Sequence, residues 1–573
     1  MNQNQTQAQN SELKIKNDTT CCFFCKKWVQ QLGLFFLVLL VYGHTLSFDF
    51  VYDDLLTILE NPAITSLKNI RDFFFDKNSV AIPTSPLVHE IYRPLKTLSV
   101  AFDHALYGFN TIGYHATNLL LHTCVGILLF QLLELLGFAS GLRFFWSAIF
   151  LIHPALFENV AYVSARADIL SALFLLLVFK EHLFLRNATP LKAQRKSMIF
   201  FFLACLAKET AVMYPLFLLG FLRIQKVPLQ KTAPYWILAA AYLCLRQSVI
   251  VDFAQTKPYL GSLWLTQATM MKTWFLYLTG FMWPLRLDIL PAILLESHWM
   301  NPRTLSALTF LLLVVFLLFW QRKNLGLSGV GLWWFFVFLL PVANLVPIKA
   351  FMAWRFVYIS WIGLVLAACF LFSKLPERRF LKIILLCWSL VLSLLTVKAS
   401  VSFANSESLW KPMIEKYPKL AKPYRELAGF YLYENRLLEA QTVLASGLKA
   451  MPKDDYLLSD YAKTWIVRQE YSKALDYLQK ITPQTQKELG ESFLFDWVFT
   501  CYQSGHFQEI LQTLFWIPSK KLSVKSLLLQ AHGSVLAGAN TDAKRLYKEL
   551  LLRDLDAKTR KDCIAIYQLL EPV

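Results

Sequence analysis

Over 573 residues the sequence is 56% hydrophobic, 15% aromatic and 17% charged, with a mean hydropathy of +0.42. That much apolar surface excludes a water-soluble globule, because lipid is needed to cover it. The formal charge of +18 does not argue for nucleic acid, since many of the basic residues sit in short loops between apolar runs, where membrane topology accounts for them.

Residues 1–30 are predicted to form a cytoplasmic tail. Its three clustered thiols, Cys21, Cys22 and Cys25, lack a fourth ligand and suit a free or lipidated juxtamembrane cluster better than a zinc site. Apolar runs long enough for a ~30 Å hydrocarbon core then predict a membrane domain over 31–400. About eleven helical spans are expected, at 31–48, 111–135, 142–155, 163–184, 197–222, 233–250, 268–286, 305–320, 327–346, 355–373 and 380–399. The first has no small-residue cleavage site behind it and is read as retained. Cys124, Cys205, Cys244, Cys369 and Cys387 fall inside spans and read as small packing residues.

The run 197–222 carries Lys208-Glu209 in its middle and fits either one crossing or a re-entrant pair of short helices. Charge parity favours one crossing. The clusters Lys14/Lys16/Lys26/Lys27, Lys180/Arg186/Lys192/Arg195/Lys196, Arg322/Lys323 and Lys374/Arg378/Arg379/Lys382 then share the cytoplasmic side. The same parity places the long loop 49–110 and the tail 401–573 on the outer face. Within the loop, the runs from Leu67 to Phe75 and from Leu95 to Leu106 have helical spacing but are too short or too polar to span, and fit helices along the interface.

Beyond the last span the sequence turns amphipathic. Tyr424, Leu427, Ala428, Tyr431, Ala440, Leu444, Gly447 and Pro452 place large residues, small residues and a closing proline as a ~34-residue helix-turn-helix repeat requires. Ala462, Ala474, Leu478 and Pro483 repeat part of it, as do Ala531, Ala543 and Tyr547, and the stretch from Glu491 to Lys521 is a degenerate copy. About four repeats of tetratricopeptide type, capped by Ala557 to Leu570, predict an α-solenoid that offers a surface to a protein or peptide. The fold class is therefore all-α, a polytopic membrane domain followed by a repeat domain.

Asp53 and Asp54 stand side by side just past the first span. Such a pair divides labour readily, one carboxylate acting as base while the other binds, orients or holds a metal. At the same outer level come Arg93, His115, His153, Glu158, Arg166, Asp168, Lys208, Glu209 and Arg355. Ionisable residues at or inside spans are costly unless paired or facing a cavity, so either function or local neutralisation, Arg166 by Asp168 and Lys208 by Glu209, explains them. His122 and His153 also fit hydrogen-bonded core positions, and no His/Asp/Glu set has zinc-ligand spacing. Acids beside arginines at a membrane surface suit the holding of a polyprenyl phosphate-sugar by its phosphate while a base deprotonates an acceptor hydroxyl.

The runs Phe50 to Asp54, Tyr92-Arg93-Pro94-Leu95, Gly113-Tyr114-His115 through His122, His153-Pro154, Glu158 through Asp168, Lys208-Glu209-Thr210 and Leu340 through Pro347 resemble, in order and over nearly the whole chain, the transmembrane and tetratricopeptide-repeat family. That family is similar to protein O-mannosyltransferases of the GT-C class. The resemblance implies transfer, with inversion, from a dolichyl- or undecaprenyl-phosphate sugar to an acceptor hydroxyl, and the repeat tail argues for a protein acceptor. It puts the chemistry on Asp53 and Asp54, with Asp53 as base, and makes Arg93, Arg166, Lys208 and Arg355 the phosphate candidates. His115, His153, Glu158, Asp168 and Glu209 are supporting polar groups. No metal is expected, although a divalent cation at the acid pair is the alternative. The expected setting is a bacterial inner membrane with a periplasmic site, or an endoplasmic reticulum membrane with a luminal one. Transfer to envelope glycan or lipid, and a non-catalytic anchored scaffold, are the competing readings.

Overall fold

A helix occupies each of the eleven apolar runs in the computed structural model, but few of these helices are built to cross lipid unaided. The structure describes residues 26–82, 91–183, 191–250, 262–284, 287, 301–320, 326–348, 350–376, 378–513, 519 and 522–570. Among these, four helical stretches are long and apolar enough to cross a membrane: Lys27–Ser47, Thr111–Leu135, Trp354–Ser373 and Arg379–Phe403. The pair Ser140–Ile152 and Pro154–Ala161, bent by 49° at His153, makes a fifth if taken as one span. Cys21, Cys22 and Cys25, with Lys14, Lys16, Arg186, Arg322 and Lys323, lie outside the described residues. No strand occurs among the described residues, which fall into two units, Met1–Asn405 and Ser406–Val573.

The run 197–222 is not one helix. Leu191–Ala207 stops at Lys208, which is extended (φ −154°, ψ 136°), a 3-10 turn follows over Glu209–Met213, and Tyr214–Ile224 resumes the helix. Broken helices at membrane depth are tolerated where protein covers the freed backbone, and Lys208 and Thr210 are buried. Of the cysteines expected to pack, Cys205 and Cys369 are buried, while Cys244 and Cys387 are exposed. The latter two do not act as packing residues; Cys387 shares its helix, Arg379–Ser400, with exposed Ile383, Ile384, Leu386, Leu390 and Leu394, a face suited to lipid.

Two helices meet with almost no side chain between them. A methyl group added to Gly331 would lie 2.4 Å from the carbonyl oxygen of Gly363, and one added to Gly363 would lie 2.2 Å from that of Gly331. The helices Gly326–Leu339 and Tyr358–Ser373 therefore pack backbone to backbone. Without a hydrophobic drive between helices in lipid, such close van der Waals contact is what associates them.

The loop 49–110, in its described residues, folds through a small core of its own that includes Phe50, Ile58, Ile64, Phe73 and Val100 together with Tyr114 and Val163 of the bundle. A π-helical turn, Leu55–Leu59, follows the acid pair. Asn61 ties the next turn by accepting from Ala63 N (3.0 Å) and donating to the carbonyls of Thr57 (3.2 Å) and Ser79 (3.1 Å). Helix Pro94–Tyr107 starts on proline, whose missing N–H is unneeded there, and ends at Gly108 with φ +59°. The Tyr114 hydroxyl holds that turn by donating to the Gly108 carbonyl at 2.8 Å.

In the second unit, Ala421–Tyr433, Leu437–Ala450, Asp455–Val467, Tyr471–Leu478, Glu491–Ser504, Phe507–Leu511, Val524–Leu536, Asn540–Leu551 and Ala557–Leu569 are helices. Of the residues on which the repeat was read, Tyr424, Leu427, Ala428, Tyr431, Ala440, Leu444, Gly447, Ala462, Ala474, Leu478, Ala531, Ala543 and Tyr547 are buried, while the closing prolines Pro452 and Pro483 are exposed. A methyl on Gly447 would come within 3.0 Å of the Tyr424 ring, so this glycine sets how closely its helix approaches that ring.

Gly363→Val is expected to destabilise the membrane unit by at least the ~1–3 kcal/mol typical of overpacking, read as a lowered midpoint of thermal unfolding in detergent, with Gly363→Ala intermediate.

Candidate active site

The backbone delivers the acid pair in a constrained conformation. Tyr52, just before it, is left-handed at φ +58°, a region costly for a residue with a Cβ and characteristic of functional sites. Asp53 and Asp54 then open a helical turn, whose N-terminal end favours carboxylates. The two acids part company there. Asp54 is fully buried, and its Oδ1 accepts from Ser164 N at 2.8 Å while its Oδ2 has no hydrogen bond among the described residues. Burial pushes the Asp54 carboxyl up to about 6, against the pull of Ser164 and of Lys96, with Asp53 adding to the rise. Asp53 is half-buried and makes no hydrogen bond or ion pair among the described residues.

Lys96, which the sequence alone did not single out, stands beside the pair. It is buried on helix Pro94–Tyr107 and its Nζ donates to Thr57 Oγ1 (3.2 Å) and Ser164 Oγ (3.4 Å), hydroxyls themselves 2.8 Å apart. Burial lowers the ammonium to about 8; Asp54 and Asp53 oppose that, while Arg166 and Arg93 reinforce it.

The other charges are paired, but not as their sequence neighbours suggested. Arg166 does not pair with Asp168, and Lys208 has its ion pair elsewhere than Glu209. Arg166 directs Nε to Asn118 Oδ1 (2.6 Å), Nη1 to the oxygens of Ser99 (3.2 and 3.4 Å), and Nη2 to the Tyr114 carbonyl (2.9 Å) and Asp103 Oδ2 (2.6 Å). The guanidinium is fully buried, bonded through all three nitrogens to protein oxygens and charge-matched by Asp103, which suits Arg166 to holding helices together. Lys208 pairs with Asp168, both buried. Arg93 grips Glu209 with both arms, Nε to Oε2 at 3.0 Å and Nη2 to Oε1 at 2.6 Å. Arg355 pairs through Nη1 with Glu158, which also accepts from the Arg355 backbone N at 3.0 Å.

These pairs form a belt. Arg93 lies within electrostatic reach of Asp168, Asp168 of Arg355, Arg355 of Tyr162, and Tyr162 of Asp53 and Asp54. The Phe356 ring lies 5.7 Å from Lys208 Nζ and 5.4 Å from Arg355 Cζ. Of the four phosphate candidates, Arg93 and Arg355 keep 24% and 25% of their side chains exposed, against 0% and 4% for Arg166 and Lys208. Arg355 also keeps Nε and Nη2 unbonded among the described residues.

The histidines stand apart from this belt. His153 accepts from Ala155 N at 3.2 Å and engages the Phe281 carbonyl at 3.1 Å, and His122 lies between Tyr358 Oη (2.7 Å) and the Leu151 carbonyl (3.0 Å). Both are hydrogen-bonded core residues. His115 is buried with its ring 6.1 Å from that of Phe48. No group of three His, Cys, Asp or Glu side chains suited to a metal occurs among the described residues.

No family model matches the chain. It is 35% identical to the protein O-mannosyl-transferase TMTC1 of Mus musculus over 148 residues, which are 25% of this chain and 15% of that protein. It is 36% identical to the protein O-mannosyl-transferase TMTC2 of Homo sapiens over 141 residues, 25% of this chain and 17% of that one. Over these stretches the chain is similar to TMTC protein O-mannosyl-transferases. A further relative, the Caenorhabditis elegans protein O-mannosyl-transferase F38B6.6, is 29% identical over 188 residues, 32% of this chain and 26% of its own length. The likeness to these TMTC proteins thus extends over a quarter to a third of the chain, rather than nearly all of it, and over about a quarter or less of the relatives.

Besides Lys96, sequence reasoning passed over Tyr162, Asp103 and Ser164. Tyr162 is 2% exposed and its hydroxyl has no hydrogen bond among the described residues, a burial that costs about 1–3 kcal/mol.

Removing one partner of a buried ion pair strands the other charge, so Lys208→Met is expected to lower stability by ~3–5 kcal/mol. Adding Asp168→Leu should recover most of that loss, as measured by a double-mutant cycle on thermal unfolding.

Proposed function

We propose that the chain is a membrane glycosyltransferase that moves a sugar from a polyprenyl phosphate to a hydroxyl, on protein, by a single displacement that inverts the anomeric carbon. The observation that carries this is the division between the two adjacent acids: Asp54 is locked in place by Ser164 N while Asp53 makes no hydrogen bond or ion pair among the described residues. A base needs an unengaged carboxylate near solvent, held by a neighbour that does not compete for the proton.

In this reading Asp53 takes the proton of the acceptor hydroxyl. Arg355, with Nε and Nη2 unbonded among the described residues, binds the donor phosphate in the forked manner guanidinium favours, and the partly exposed Arg93 assists. Lys208 and Arg166 keep the walls of the site charged yet neutral in sum through their carboxylate partners. The names of the TMTC relatives favour mannose as the sugar and protein as the acceptor, and the C-terminal helices, on their buried repeat positions, are a tetratricopeptide-type solenoid that guides that acceptor. We place the site on the outer face of the membrane, from the charge parity. A divalent cation at the pair would meet the Lys96 ammonium, so the reaction is read as metal-free.

Purified full-length protein, given tritiated dolichyl- or undecaprenyl-phosphate mannose and a serine- and threonine-rich peptide pool, is expected to transfer mannose before and after chelation with EDTA. Asp53→Asn should lower kcat by ~10²–10⁴-fold. Equal transfer by both proteins would remove Asp53 from the mechanism.

The pH dependence follows from the pair and its lysine. Activity should fall as pH drops through about 6, where Asp54 protonates, and as it rises through about 8, where Lys96 loses its charge. Lys96 holds the Asp54 carboxyl down, so Lys96→Met should move the acidic limb of the kcat/KM profile to higher pH and abolish the basic limb. Lys96→Arg should keep the acidic limb near its place.

A further inference from the structure

Tyr162 is fixed on every side except at its hydroxyl. Its carbonyl accepts from Asn118 Nδ2 at 3.4 Å and from Ala165 N at 3.2 Å, and its N–H donates to the Glu158 carbonyl at 3.2 Å. Its ring is stacked on Phe403 at 5.5 Å and lies 5.9 Å from the ring of Tyr52, the left-handed residue that leads into the acid pair. Asn118 is itself bonded to Arg166, so the anchor of Tyr162 is part of the buried polar cluster around that guanidinium. Two residues on, Ser164 N binds Asp54. The hydroxyl of this immobilised ring is buried, lacks a hydrogen bond among the described residues, and lies in the field of Asp53 and Asp54 together with Arg355.

A buried hydroxyl on a ring held this firmly is what a preorganised donor looks like: its direction is set before substrate arrives, so no reorganisation is needed during reaction. Its surroundings decide what it addresses. The acids belong to the acceptor side and Arg355 to the phosphate side, and the atom between the two in a displacement at C1 is the oxygen that joins sugar to phosphate. Resting on the transferase reading above, we infer that Tyr162 is a catalytic residue whose hydroxyl donates a hydrogen bond to the lipid-phosphate oxygen leaving C1 of the sugar.

The step balances without a further reactant. The acceptor oxygen forms its bond to C1 as the bond from C1 to the phosphate oxygen breaks. The acceptor proton passes to Asp53, the electron pair of the broken bond stays on the phosphate oxygen, and the tyrosine keeps its proton. Because charge grows on that oxygen only as the bond breaks, the hydrogen bond strengthens in the transition state and acts on kcat rather than on donor binding.

Tyr162→Phe, assayed in the full chain in lipid nanodiscs with the two mannosyl donors and peptide pool above, is expected to lose ~10²-fold in kcat. Donor KM should change by less than about threefold. Tyr162→fluorotyrosine keeps the hydroxyl as a stronger donor and should retain transfer at or above wild-type kcat, which supports the role even where the phenylalanine variant fails to fold. Turnover of Tyr162→Phe equal to wild type, a loss confined to KM, or a fluorotyrosine variant as impaired as phenylalanine would each overturn the role of the hydroxyl while leaving the transferase reading in place. Wild-type protein that transfers from neither donor would overturn both.

Discussion

The Arg166 guanidinium is the constraint on which the membrane unit is organised. A fully buried cation in a bundle of apolar helices is tolerable only if its charge is matched and every N–H is bonded. Satisfying it recruits Asp103 and Ser99 from the outer-loop helix and Tyr114 and Asn118 from the first turns of Thr111–Leu135. Three helices are thereby fixed at one depth, and a loop that would otherwise lie loosely on the membrane becomes part of its wall. Lys96 shares the helix of Asp103, and Tyr162 is held by Asn118, so the position of the acid pair relative to its surroundings traces back to this one side chain.

That constraint separates two kinds of charge. Arg166 and Lys208 are sealed, with carboxylates fully occupied in neutralising them. Arg93 and Arg355 are anchored by Glu209 and Glu158 but remain accessible at their edges. A carboxylate behind an arginine holds the fork at a fixed angle and lowers the conformational entropy that binding would otherwise remove. Lys96 is the odd member, a lone ammonium shared between hydroxyls and two acids, and it makes the local balance sensitive to proton concentration near neutrality.

Much of this was visible in the sequence, and what was not has a common cause. Apolar runs announce helices because lipid demands them, and the small and large residues of the second unit announce helix pairs because packing distance depends on them. Proximity is partly legible too: the charges read together in the sequence, among them Arg93, Asp168, Lys208 and Arg355, do lie within electrostatic reach of one another. Their ion-pair partners are not, because ion pairs here join residues 40, 63, 116 and 197 positions apart (Asp168 to Lys208, Asp103 to Arg166, Arg93 to Glu209, Glu158 to Arg355), whereas neighbours in sequence are all that a one-dimensional reading can pair. Lys96 is one lysine on a short amphipathic helix, and nothing local says that its face turns inward. The break at Lys208 was marked by the charge itself, while its form depends on Asp168 forty residues away.

The pair of Glu158 with Arg355 has a consequence for how the chain is made. Its members are 197 residues apart, and at ~5–20 residues per second of synthesis the glutamate emerges roughly 10–40 s before its arginine. During that interval the bent segment around His153 carries an uncompensated acid, which keeps the segment in water or headgroups and out of hydrocarbon. This ion pair of the membrane unit is therefore completed late, on arrival of the Trp354–Ser373 helix, and the bent segment settles into its final place only after most of the unit has been synthesised.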